Sequence, residues 1–233
     1  TGPTGSGKTT TLYAIMRTIN AMEKNILTIE DPVEYTMPLV HQVEVNEKAG
    51  VTFASSIRSF LRQDPDVMLI GEIRDEETAS LAMRAALTGH LVFSTVHTND
   101  AVGAVVRLRD LGVEDYIVAS TIRGVVSQRL LRLLCPHCKQ PAKRTTPWNG
   151  IAAEQIYEHV GCPLCRNTGY IGRTAIAELL EMDKELLALI GAGSTVADIE
   201  NAARERGMRT LWDAGLDLVA DGATDIAEFQ RVL

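Results

Sequence analysis

Gly2-Pro3-Thr4-Gly5-Ser6-Gly7-Lys8-Thr9 determines how the rest of the chain is read. The stretch fills every fixed position of G-x-x-x-x-G-K-[ST], with Gly2, Gly7, Lys8 and Thr9 in place. Glycines let backbone N–H groups turn inward around a phosphate, Lys8 reaches the terminal phosphates, and the Thr9 hydroxyl suits Mg²⁺. Pro3, Thr4, Gly5, Ser6 and Thr10 complete the expected nucleotide contacts. Leu12, Ile15, Met16 and Ile19 recur at helical spacing and predict a helix over residues 8–22. Such a loop normally leaves a buried strand, yet here the first glycine is the second residue. The chain is therefore expected to be a fragment of a longer protein. The loop alone does not separate a kinase from a GTPase or a motor.

Beyond the loop, apolar runs alternate with helical patterns. Residues 25–30 (NILTIE) form a short apolar run closed by Asp31-Pro32, and residues 40–45 alternate as a second strand. Residues 54–63 have helical spacing through Ile57, Phe60 and Leu61. Val67 to Ile70 is a buried-strand run, Asp75 an N-cap for a helix through about Leu87, and residues 91–95 another strand. Two helical stretches are expected from there to about Leu134. This order predicts an α/β fold with a mostly parallel sheet covered on both faces.

Carboxylates at strand ends are where such sheets keep their chemistry. A phosphate-loop ATPase needs an acidic group for Mg²⁺ and a group that orients the attacking water. Glu72 follows VMLIG, where the residue ahead of it is Gly71 rather than the frequent Asp, and Glu30 ends a different strand. Glu72 in the Mg²⁺ shell with Glu30 polarising the water fits the sequence, and the exchanged roles fit almost as well; either could instead serve as a salt bridge or cap. His90 and His97 flank one strand, so they lie near its opposite ends; hydrogen-bonded structural histidines are the plainer reading. Arg58 and Arg62 stand one helical turn apart and share a face. Their planar forks suit a phosphate bound by a neighbouring subunit, against the alternative of ordinary surface charge.

All four cysteines fall in two pairs, Cys135/Cys138 and Cys162/Cys165. Two such knuckles satisfy tetrahedral Zn²⁺ without leaving an open catalytic position, so the predicted site is structural. The alternatives are chance pairing or a redox C-x-x-C. His137 and His159 could serve only if a cysteine were displaced. The spacer from 139 to 161 looks too short and polar for a core of its own, so the metal is expected to supply much of its stability. From about Asp183 the chain reads as helical. Thr195 and Asp198 form a capping-box pattern, Gly207 and Gly222 are expected stops, and Leu211, Trp212, Leu216 and Val219 are expected in the core.

Composition narrows the partners. Hydrophobic residues make up 45% and charged residues 23% of 233, which excludes disordered and collagen-like classes. Net charge is −7, the wrong sign for a protein that mainly binds nucleic acid, so no direct nucleic-acid contact is expected. No apolar run approaches the roughly 20 residues of a membrane span, and no signal pattern opens the chain.

TIEDPVEY (28–35), RQDPDVMLIGEIRDEETA (62–79) and TGHLVFSTVHTNDA (88–101), together with GPTGSGKTTTLY, closely resemble the secretion ATPases of type II secretion and type IV pilus assembly. The tetracysteine segment and GYIGRTAIAELLEMD (169–183) extend the resemblance over most of the chain. Pilus retraction ATPases and type IV secretion relatives generally lack the tetracysteine insert, which favours the secretion and assembly branch. The resemblance implies a RecA-like P-loop NTPase core over 1–134 lacking its first strand, an inserted zinc-binding subdomain over 135–168, and a mostly helical C-terminal region over 169–233. It also implies an N-terminal domain beyond this chain, and a homo-hexameric cytoplasmic ATPase, peripheral at the inner membrane, working with a membrane platform. Gly7, Lys8 and Thr9 then lie in the Walker A motif, Glu30 in the aspartate box, Glu72 in Walker B, and His90 and His97 in the histidine box. Arg58 and Arg62 match arginines that face nucleotide in the ring. ATP, Mg²⁺ and Zn²⁺ are the expected cofactors. The competing classes are a non-hydrolysing ATP-binding scaffold, a retraction motor, and a DNA-dependent RecA-like motor, the last requiring salt-sensitive DNA binding.

Overall fold

In the computed structural model, which describes residues 1–19 and 21–233, the glycine-rich loop runs directly into α1 (Lys8–Met16). Gly7 makes the junction with a φ of 87°, a left-handed backbone that a residue without Cβ adopts freely. α1 stops at Met16 rather than near residue 22. The Thr18 hydroxyl donates to the Ile15 carbonyl at 2.7 Å, and the Thr18 and Ile19 N–H groups reach back only three residues. That tightening, with a side chain competing for a backbone carbonyl, ends the helix. Asn20, part of the expected helix, lies outside the described residues.

Four strands follow: β1 (Ile26–Glu30), β2 (His41–Glu44), β3 (Val67–Ile70) and β4 (Leu91–Ser94). Their order is β2-β1-β3-β4 and every pairing is parallel. β1 and β3 are buried at every residue, as central strands covered on both faces must be. Side chains alternate between two cores. Ile26, Val67 and Leu69 meet Tyr13 and Met16 of α1. Leu27, Ile29, Met68 and Ile70 meet α2 (Phe53–Phe60) and α3 (Glu76–Leu87) on the other face. Thr52 caps α2 by accepting the Ser55 N–H, and Asp75 caps α3 by accepting the Thr78 N–H at 2.8 Å.

The stretch before Leu134 departs from expectation. After α4 (Val102–Asp110) and α5 (Asp115–Thr121), the chain forms a strand, β5 (Gly124–Leu134), instead of more helix. Short β6 (Gln140–Pro141) and β7 (Tyr157–Glu158) pair within the cysteine segment. The chain then returns as β8 (Tyr170–Glu181), antiparallel to β5 along most of its length. The Leu-rich run of 130–134 suits either period, and pairing with a partner some 40 residues away decides it. β8 alternates cleanly, with Ile176, Glu178 and Leu180 buried and Ala175, Ala177, Leu179 and Glu181 exposed.

The cysteine segment hangs from the tip of this hairpin. Its spacer does contribute to an apolar core: Ile151, Ile156 and Trp148 pack on Val219 and Phe229. Those partners belong to α8 (Leu211–Ala220) and α9 (Ile226–Val232). Trp212 keeps 47% of its surface exposed, more than a core position would. Before them, α6 (Lys184–Gly191) and α7 (Val196–Glu205) send Leu186, Ile190, Ile199 and Ala203 into the same core as α4 and α5. The Thr195–Asp198 capping box forms as its spacing predicts. No helix among the described residues is long and apolar enough to cross a membrane.

Candidate active site and metal centre

Parallel strands point their C-terminal ends to one edge, and ligands of such sheets bind beyond that edge. Glu30 is the last residue of β1, Glu72 follows β3 and His97 follows β4. Lys8, at the start of α1, is near enough to Glu72 for that carboxylate to favour its charged form. Burial nevertheless pulls the Lys8 ammonium below the usual lysine range, and Arg129 adds to the pull. Its Nζ donates to the Gly2 carbonyl at 2.8 Å and the Pro3 carbonyl at 3.0 Å. Thr4, Gly5 and Thr10 are exposed, whereas the Ser6 hydroxyl is buried and lacks a hydrogen-bond partner among the described residues. A cation held on loop carbonyls and an unsatisfied buried hydroxyl fit a ligand that brings phosphate oxygens.

Both glutamates are buried and differ in their partners. Strand alternation turns Thr28 and Glu30 toward α1, where Glu30 is 3% exposed. Its Oε1 accepts from Thr28 Oγ1 at 2.6 Å and from Gln42 Nε2 at 3.1 Å, and its Oε2 accepts the Tyr13 hydroxyl. Burial and this carboxylate raise the Tyr13 phenol well above its ordinary value, so Tyr13 stays a donor. Glu72 is also buried, at 9% exposed, with Oε1 on Arg74 Nη2 at 2.5 Å and Oε2 3.5 Å from His97 Nε2.

His90 is not brought to this edge. It precedes β4, and its Nδ1 lies 2.8 Å from the Ala85 carbonyl and 3.1 Å from Thr88 Oγ1, at the end of α3. Arg58 ion-pairs with Glu77 of α3 on an exposed face, and Arg62 is exposed just past α2.

Two residues at the loop escaped the sequence reading. Gln128 of β5 reaches the Ser6 carbonyl, and the neighbouring Arg129 donates to the Asn99 carbonyl at 2.7 Å and the Gln128 carbonyl at 3.1 Å. Both are buried. The available signal was Ser127-Gln128-Arg129 itself, a polar triplet inside an otherwise apolar run. A helical reading of that run hid its burial.

Cys135, Cys138, Cys162 and Cys165 bring their sulfurs within 4.8 Å of one another, and no disulfide joins them. Cys135–Cys162 and Cys138–Cys165 are each 3.9 Å apart. Tetrahedral zinc, with Zn–S near 2.3 Å, requires sulfurs about 3.8 Å apart. The donor set and spacing fit that ion. Backbone N–H groups point at the sulfurs: Gly161 at Cys138, and both Cys162 and Gly169 at Cys165. Burial alone would raise the Cys165 thiol, but the N–H groups of Cys162 and Gly169, together with the neighbouring Cys162 and Cys138 thiols, outweigh it and bring the thiol down to about 6. His137 is exposed, while His159 is engaged with Asp225 at 2.5 Å and with Tyr170.

A parallel sheet, a glycine-rich loop opening a helix and acidic groups at the strand ends define a P-loop nucleotide-binding α/β protein. A family model described as Type II/IV secretion system protein matches residues 1–231, and the chain belongs to that family. It is 50% identical over 232 residues to the type II secretion system protein HxcR of Pseudomonas aeruginosa, a match that covers 100% of this chain and 47% of HxcR. It is 48% identical over 236 residues to the type IV pilus assembly ATPase PilB of Thermus thermophilus, covering 98% of this chain and 26% of PilB. Among solved structures, the pilus retraction motor PilT with bound ADP superposes with a TM-score of 0.75 at 30% identity, over 99% of this chain and 59% of that one. The chain spans about half the length of HxcR.

Proposed function

We propose that this chain is the ATP-hydrolysing core of a motor that powers type II protein secretion or type IV pilus assembly at a bacterial inner membrane. The observation that carries the reading is the convergence of Lys8, Glu72 and His97 beside a loop whose buried Ser6 hydroxyl lacks a partner among the described residues. Near-equal identity to HxcR and PilB supports the family of machines without choosing between secretion and pilus assembly.

Gly2 through Thr10 would hold the phosphates, and Thr9 with Glu72 would hold Mg²⁺. Mg-ATP supplies, when bound, the phosphoanhydride to be cleaved and a divalent charge that offsets the phosphate oxygens. Lys8 contributes a positive charge on the loop side, where burial pulls its ammonium below the usual lysine range and the Glu72 carboxylate opposes that pull. Glu30 is fixed in one orientation by three donors. With Oε1 filled by Thr28 and Gln42, its Oε2, shared with Tyr13, is the atom able to take a proton from water. His97 steadies the free edge of Glu72. The contacts of His90 support a structural role, closing the end of α3. Arg58 and Arg62, both exposed, would act on nucleotide held by a neighbouring subunit of a homo-hexamer. Zinc would staple the cysteine segment as a protein-docking surface toward the inner-membrane platform, and the motor would be cytoplasmic and held peripherally at the membrane through its partners.

The test is Mg²⁺-dependent ATP binding by the full-length protein and by its Lys8→Ala and Glu72→Gln variants. Lys8→Ala should weaken binding about 100-fold or more, and Glu72→Gln should keep nucleotide affinity in EDTA while losing the gain from Mg²⁺. Binding indifferent to both substitutions would contradict the reading.

A further inference from the structure

The side-chain amide of Gln128 grips the phosphate loop on both sides of Gly7. Nε2 donates to the Ser6 carbonyl at 2.7 Å, and Oε1 accepts the Thr11 hydroxyl at 2.7 Å. The Ser6 carbonyl can only accept, so the amide has one workable orientation. Between the two anchors stands Gly7, whose left-handed φ turns the loop into α1. A Cβ on Gly7 would meet Gln128 Nε2 at 2.8 Å, so a side chain here would push the amide off its anchors besides straining φ. The backbone of Gln128 braces the other end of the loop. Its N–H donates to the Thr1 carbonyl at 3.0 Å, and its carbonyl lies 2.5 Å from where a Gly2 Cβ would stand. Gln128 is 7% exposed, so water does not readily replace these bonds. The strut stands on a paired strand that continues through Leu134 to Cys135, not on a loop.

We propose that Gln128 is a positioning residue of the nucleotide site: it sets the angle between the phosphate loop and α1, and so the aim of the loop N–H groups and of Lys8. This rests on the ATP-binding reading above. Removing the amide lets the Gly7 hinge relax and leaves the Ser6 carbonyl unpaired; the phosphates then lose several donors at once although none has been mutated.

The experiment is a Mg-ATP titration of the full-length protein alongside Gln128→Leu, Gln128→Glu, Thr11→Val and Leu131→Ala, with thermal melting of each. Leu131 is fully buried on the same strand but packs on Ile176 and Leu211, away from the loop, and controls for lost stability. Gln128→Leu should weaken ATP about 10- to 100-fold, and Thr11→Val by less. Leu131→Ala should lower the melting temperature while keeping wild-type affinity. Gln128→Glu supplies the signature of positioning. Ionised, it faces the Ser6 carbonyl with an acceptor; protonated, it can donate again, so its affinity relative to wild type should recover as pH falls. If Gln128→Leu does not fold, that pH ratio decides. A flat ratio, or losses that merely track melting temperature as in Leu131→Ala, would overturn the inference. Wild-type protein that binds no ATP would overturn the functional reading, and the inference with it, before any variant is compared.

Discussion

Glu228 has no exposed surface, yet it stays ionised. It accepts from Arg132 through the backbone N–H, Nε and Nη2, and from Arg231 through Nε and Nη2. Burial alone would raise its carboxyl, but the two guanidinium groups outweigh burial and hold it at about 2, below the ordinary 4.5. A carboxyl depressed in the folded state stabilises fully above the unfolded value and loses that contribution as pH falls through the folded value. Stability should therefore be flat above about pH 5 and drop by about 3 kcal/mol between pH 4.5 and 2 from this residue. Denaturant melts across that window check it: Glu228→Gln should be less stable at pH 7 and show a shallower acid decline. Tyr13 allows a second expectation. Tyr13→Phe keeps the ring that packs on β1 but removes the donor to Glu30 Oε2. Nucleotide affinity should change little while turnover falls about tenfold or more, because the orientation of the carboxylate is lost and not the phosphate contacts. Phosphate release at saturating ATP measures this.

The helices obey local rules that the sequence exposes, and the hairpin does not. Thr210 shows the first case: its hydroxyl accepts the Asp213 N–H at 3.2 Å, and Asp213 answers at the Thr210 N–H at 3.0 Å. Thr210→Ala should cost about 1 kcal/mol in a denaturant titration, while Thr210→Ser should cost little. α3 and α7 were readable in the same way, from Asp75 and from Thr195 with Asp198, whereas the caps at Thr52 of α2 and Asp183 of α6 emerge with the structure. The central strands were readable as short continuous apolar runs. β5 was not, because Val125, Leu130, Leu131 and Leu134 suit a helix as well as a strand, and its pairing with β8 is set by distant sequence. The same error concealed Gln128 and Arg129 at the candidate site. Lys8, Thr9, Glu72 and the four cysteines were readable because each sits in a short motif whose spacing carries its chemistry. The burial of Glu30 against Tyr13 was not, since it depends on which face of β1 meets α1.

The arrangement of the chain links its parts through shared cores, not through linkers. α6 and α7 complete the core begun by α3, α4 and α5, and α8 and α9 cover the spacer of the cysteine segment. Glu178 ties these layers together, accepting the Ala101 N–H at 2.7 Å and the Leu211 N–H at 3.3 Å. Zinc removal should therefore loosen residues 135–168 without unfolding the parallel sheet. Hydrogen exchange before and after chelation would show it, with faster exchange in the cysteine segment, unchanged protection in β1 and β3, and one zinc released per chain. Global unfolding on chelation would contradict that division. The central claim is that the carboxylates at the strand ends hydrolyse ATP on the Lys8 loop. The most direct measurement is steady-state phosphate release from Mg-ATP by the full-length protein, beside Glu72→Gln and Glu30→Gln at matched oligomeric state. The account predicts turnover in the wild type and a loss of about 100-fold or more in each variant. Nucleotide bound without phosphate release in the wild type, or release that survives both substitutions, would contradict it.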